Sequence, residues 1–147
     1  MGQRGFWDVE TREAKLAQKE DILIRLDKIV GWEAFRNQLE QVRLKERKSN
    51  AGRKPYAVIL LFKMLILQQL YNISDESLEY QVNGRISFMQ FLHLGIEDSV
   101  PDSTTVWLFR EQLTQVGIIR ELFALFAEYL SAQGYTAQGG QISLMRP

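Results

Sequence analysis

Six cations crowd one short stretch of the chain, Arg43, Lys45, Arg47, Lys48, Arg53 and Lys54, with Glu46 the only acid among them. Lysine and arginine at this density suit a polyanion, because each side chain that meets a phosphate releases a condensed counterion. A second reading stays open. Cations at a helix C-terminus are favoured by its dipole, so a solvated helix end and loop accounts for the same charges. Farther on, Ser103, Thr104, Thr105 and Arg110 share one short segment, hydroxyls at a helix N-terminus followed by an arginine. That is the make-up of the recognition helix of a helix-turn-helix, whose first residues meet DNA, although capped helices that only pack share it.

The remaining reactive groups offer less. Asp75, Glu76 and Glu79 can be drawn as an acid–base pair or a metal site. Yet Ser74 as a helix cap, with Asp75 and Glu76 in the positive first turn, explains them as helix stabilisation. His93 is the only histidine, and there is no cysteine. With no acid or hydroxyl placed beside it by sequence, His93 reads as a packed or exposed helix-end residue rather than a triad base or ligand. No glycine-rich phosphate loop occurs, and no cofactor is expected.

The elements that must position these residues are helical. Ala51 to Leu94 organises the chain: Gly52 to Tyr56 is a basic turn with Pro55 at a helix start, and Ala57 to Tyr71 is apolar on nearly every face. Such a helix must be surrounded. A membrane span needs about 20 apolar residues without an internal charge, and this run is shorter and contains Lys63, so the core helix of a soluble bundle is expected. Before it, Ile22, Leu26, Ile29 and Val30 mark a helix that Gly31 ends, and Trp32, Phe35, Leu39 and Val42 form the stripe of a second. The two pack as a hairpin, with Phe6 and Trp7 anchoring the N-terminal arm. After the core helix, Leu78, Val82, Ile86, Met89, Phe91 and Leu92 supply an apolar face, broken at Asn83-Gly84 into two short helices. Asp102 or Ser103 caps the helix carrying Val106, Phe109, Leu113 and Val116, which Gly117 ends, and a last helix runs from Ile119 to Gln133. The tail from Gly139 opens an extended segment, a lone strand with nothing to pair with. The expected fold is therefore all-α, a multi-helix bundle containing a helix-turn-helix-like unit. Its parts are an arm and helical hairpin over 1–50, a core over 51–135 and a tail over 136–147.

A chain of 147 residues is one domain's worth and can bury a core without staples. Its net charge of zero hides an asymmetry: Met1 to Tyr56 carries 13 Lys and Arg against 9 Asp and Glu, and the remainder 5 against 9. The halves therefore stand at +4 and −4. The absence of cysteine fits a reducing compartment, and Met1 to Asp8 lacks the apolar stretch of a signal peptide. A cytoplasmic protein is expected.

Read together, FWDVE at Phe6 to Glu10, the segment Lys48 to Gly95, VPDSTTVWLFREQL at Val100 to Leu113, and GQI at Gly140 to Ile142 carry a family pattern in order. The chain resembles the N-terminal region of transposases of the insertion sequence five family, bacterial mobile-element enzymes of the DDE class. The resemblance implies a helical region that binds the terminal inverted repeats of double-stranded DNA element ends, in a nucleoid-associated protein. A ribonuclease H-like domain follows in relatives, with three acids holding two divalent ions, normally Mg2+. In that pattern valine and the first catalytic aspartate follow GQI. Here Ser143 and Leu144 stand in those places. Leucine has no oxygen for a metal, so this chain is expected not to be an enzyme by itself, and a frameshifted or interrupted gene is the expected origin. It would act as an inactive or inhibitory DNA-binding remnant. The alternative is a protein-interaction module that joins itself or intact transposase through the Trp32, Phe35, Leu39, Val42 stripe. The segment Ser74 to Gly84 competes for the role of recognition helix.

Overall fold

The computed structural model describes residues 22–46, 56–138 and 141–144, with side chains over 22–42 and 56–135. Helix α1 covers residues 22–29 of the described chain. It is followed by α2 (Glu33–Glu46), α3 (Val58–Tyr71), α4 (Asp75–Gly84), α5 (Ile86–Leu92), α6 (Ser103–Val116) and α7 (Ile119–Ala132). The fold is an all-α multi-helix bundle, to which a short hairpin of β1 (Tyr135–Gln138) and β2 (Gln141–Leu144) is appended.

The apolar run Ala57 to Tyr71 does what its composition requires. Nine residues of α3 are buried, including every one from Leu61 to Leu67, so neighbours enclose it on all sides. The stripe on α2 is spent inside the molecule: Phe35 and Leu39 are fully buried and Val42 nearly so. Phe35 lies 4.7 Å from Phe62 of α3, centroid to centroid. Trp32 meets Phe62 and Phe91 edge-on and stacks on Phe126 of α7. An interaction module using that stripe would have to unfold the core to expose it, so the α2 stripe is an intramolecular seam.

Local signals fix the boundaries. Ser74 Oγ accepts from the Ser77 N–H at the start of α4, and Asp102 Oδ1 accepts from the Thr105 N–H at the start of α6. Of the two caps the sequence offered for α6, aspartate is the one used. Arg85, extended at φ −122°, separates α4 from α5, where Asn83-Gly84 foretold a break. Gly117 closes α6 in the left-handed region at φ 84°, as a Schellman-type end requires. Gly31 is needed for closeness: a Cβ there would stand 2.9 Å from the Tyr129 hydroxyl oxygen of α7. A side chain at position 31 would push the Tyr129 ring, on the last turn of α7, away from the end of α1.

The tail corrects the sequence reading. The extended segment near Gln141 is not a lone strand, because Tyr135–Gln138 pairs with it antiparallel, Tyr135 opposite Leu144 and Gln138 opposite Gln141. Tyr135 is buried, and its hydroxyl accepts from Arg25 Nη1 of α1 at 2.9 Å. Too few alternating residues precede Gln138 for the strand to show in sequence; its packing on α7 and its partner make it.

Candidate nucleic-acid interface

Helices α4 and α6 lie side by side in opposite directions, pinned by two polar ties. Near one end, the Ser103 N–H donates to Glu79 Oε1 at 2.6 Å. At the other, Arg110 forms a fork with Asp75, Nη1 to Oδ1 and Nη2 to Oδ2, both at 2.8 Å. Gln68 of α3 completes the cluster: its amide oxygen accepts from Arg110 at 2.9 Å and its Nε2 donates to Asp75 at 2.6 Å. The Arg110 guanidinium holds the Asp75 carboxyl below its ordinary value against the opposing effect of burial, and Gln68 adds to it. Two planar groups matched in two parallel bonds fix orientation as well as distance.

These ties decide which sequence-singled residues can reach a ligand. Thr104 is exposed on the first turn of α6, whereas Ser103 and Thr105 are half-buried and their N–H groups are occupied by Glu79 and Asp102. The positive end of α6 therefore already faces two carboxylates. Arg110 is engaged by Asp75 and Gln68. Beside Thr104, one turn on, Trp107 is 46 % exposed and Leu108 45 %. Arg43 and Lys45 lie on the last turns of α2, where only the backbone is described, and Arg47, Lys48, Arg53 and Lys54 fall outside the described residues. Tyr56 follows Lys54 by two residues in sequence, and its hydroxyl meets Ser99 Oγ at 2.8 Å and the Val100 carbonyl at 3.5 Å.

The turn lengths bear on the competing segment. Three residues, Asn72 to Ser74, join α3 to α4, with Asn72 left-handed at φ 52°. Ten residues, His93 to Asp102, separate α5 from α6. The tight turn therefore precedes α4, the element spanning Asp75–Gly84, and not α6. On α4, Tyr80 is 81 % exposed.

Sequence reasoning missed a second polar cluster. Lys63, 97 % buried at the centre of α3, donates from Nζ to Asp27 Oδ1 at 2.6 Å and to the Phe91 carbonyl at 2.8 Å. Its ammonium also sits about 5 Å from the ring centres of Trp32 and Phe91. His93 Nε2 lies 2.6 Å from the other Asp27 oxygen. Burial raises the Asp27 carboxyl, but hydrogen bonds and charge from Lys63 and His93 outweigh it, and its pKa is lowered. One signal pointed here: a lysine inside an apolar helix requires an acid from elsewhere, and Asp27 is polar among Leu26, Ile29 and Val30. Among the described residues no three His, Cys, Asp or Glu are grouped to hold a metal ion, and no helix is long and apolar enough to cross a membrane.

The transposase domain family (DUF772) matches residues 10–112, from the N-terminal arm to the second half of α6. That is most of the chain, and the chain belongs to this family. Its function is accordingly related to transposition, a process that acts on DNA. No solved structure matches it.

Proposed function

We propose that the chain is the DNA-end-binding part of a transposase of the insertion sequence five, DDE-class type, recognising terminal inverted repeats of double-stranded DNA. The observation that carries this reading is that the basic run Arg43 to Lys54 and the start of α6 both lie inside the family-matched region, with Tyr56, two residues beyond the run in sequence, tied to Ser99 and Val100 ahead of α6. The basic run supplies phosphate contacts, which position the protein without reading sequence. Of the three hydroxyls at the α6 N-terminus Thr104 is the exposed one, open to a base edge, with Ser103 and Thr105 set back beside it. Because Glu79 and Asp102 occupy the α6 N-terminus, phosphates are held by Arg43, Lys45, Arg47, Lys48, Arg53 and Lys54 and not by that helix end. Arg110 reaches a base only by leaving Asp75, so its first role is to fix how α6 lies on α4.

Metal chemistry is not assigned to these residues. The resemblance expects the first magnesium-binding aspartate at position 144, where the sequence has leucine, a residue type with no oxygen for a metal. We read the chain as non-catalytic by itself, inhibitory towards intact transposase, and resident with bacterial DNA in the cytoplasm.

Binding to labelled duplex from the ends of its own element, against a scrambled duplex at two salt concentrations, tests the reading. Specific, salt-weakened binding is the expected result. Replacing Arg53 and Lys54 by alanine is expected to weaken both duplexes alike and lower the salt slope by about 2, while Thr104→Ala narrows the gap between them. A slope unchanged in the first variant sinks the phosphate assignment.

A further inference from the structure

We propose that the outer face of α4 and α6 is a protein-docking surface whose occupant is the basic run Arg43 to Lys54 of a second copy of this chain. The inference is independent of which duplex the protein reads.

The face is defined by the two ties. With Asp75 against Arg110 and Glu79 against Ser103 at the inner edge, helical spacing turns Glu76, Tyr80 and Asn83 of α4 and Trp107 and Glu111 of α6 outward. Tyr80 and Trp107 make it aromatic, and Leu108 extends the apolar area on the α6 side. Its charge is negative: Glu76 and Glu111 contribute carboxylates, Arg110 at its edge is neutralised by Asp75, and Arg85 at the end of α4 is turned to Gln81 and the Phe88 ring. Exposed apolar area of this kind marks a contact surface. Between Tyr80 and Trp107 the surface is acidic and aromatic and repels phosphates, so DNA, which meets α6 at Thr104 on its first turn, is the wrong occupant there. It suits lysine and arginine, whose heads pair with carboxylates and lie on tryptophan or tyrosine faces while their stems cover apolar atoms.

Charge complementarity names the occupant. The chain is neutral overall, yet its first 56 residues stand at +4 and the remainder at −4, with most of the positive excess in Arg43 to Lys54. A second copy brings six cations and one acid to a face that has the opposite balance. Two such contacts can form at once, each copy giving its run and its face, which is the self-complementary arrangement of a two-fold dimer. Duplex DNA then competes with the face for the same cations.

The test is the mass of the full-length chain by light scattering over a range of concentration, at low and high salt. The expected result is concentration-dependent dimerisation that salt and unrelated duplex DNA both reverse. Glu76→Lys with Glu111→Lys is expected to weaken dimerisation at least ten-fold while leaving helicity and binding to duplex intact; Arg47→Glu with Lys48→Glu is expected to weaken dimerisation as much, with helicity intact, and to weaken duplex binding as well. Mixing the two variants is expected to restore association, since a reversed face then meets a reversed run. A monomer at every concentration at low salt overturns the proposal, as does a dimer indifferent to the Glu76 and Glu111 reversals. Loss of duplex binding in the unaltered chain would instead count against the DNA-end reading and leave this one standing.

Discussion

Two polar clusters brace the bundle, and they differ in depth. Lys63, Asp27 and His93 join α3 to α1 and α5 around an ammonium that is 97 % buried. Arg110, Asp75 and Gln68 join α6 to α4 and α3 with a guanidinium 29 % exposed. In the first, the ion pair sits among Trp32 and Phe91, and removing either charge strands the other where water does not reach. In the second, solvent can take over part of what is lost. A polar residue in an apolar helix therefore signals an internal partner, whereas an arginine on a capped surface helix can serve either the fold or a ligand.

The largest expected effect is Asp27→Ala, which leaves Lys63 with only the Phe91 carbonyl and two ring faces. A destabilisation of about 3 kcal/mol is expected, read as a lower urea midpoint at pH 7. Next, Arg110→Ala removes the fork on Asp75 and should cost about 1–2 kcal/mol, with α6 loosened on α4. A cost equal to that of Asp27→Ala would show that exposure does not separate the clusters.

Acid sharpens the comparison further. Both aspartates have pKa values lowered in the fold, so each contributes stability above its ordinary value of 3.8 that is lost as pH falls through the lower folded value. The unaltered chain should lose stability steadily below about pH 4. In Arg110→Ala the Asp75 share of that loss should vanish and the Asp27 share persist, which urea midpoints at several pH values will resolve.

The smallest effect belongs to His93→Asn. Asparagine accepts the left-handed backbone found at φ 58° but is too short to reach Asp27, and the side chain it replaces is 67 % exposed. A loss under about 1 kcal/mol is expected from thermal melts. A larger loss would place His93 among the core determinants with Lys63.

By itself the sequence determined the helices and their caps, because these depend on neighbours three and four residues away. The buried run Leu61 to Leu67, the Ser74 cap, the start of α6 at Asp102 or Ser103, the Gly117 end and the break after Asn83-Gly84 are all local in this sense. It also carried the kinship with transposases, since the order of motifs is a property of the chain. Only the tertiary structure decided what each polar group does. Asp27 and Lys63 are 36 residues apart, Asp75 and Arg110 are 35, and Tyr56 and Ser99 are 43. Periodicity along one helix carries no information about which acid from another will meet a given cation, so Arg110 reads as a contact for bases until Asp75 is found on it. The hairpin strand at Tyr135 was hidden for the same reason, its pairing being set by a partner and by α7 rather than by its own residues.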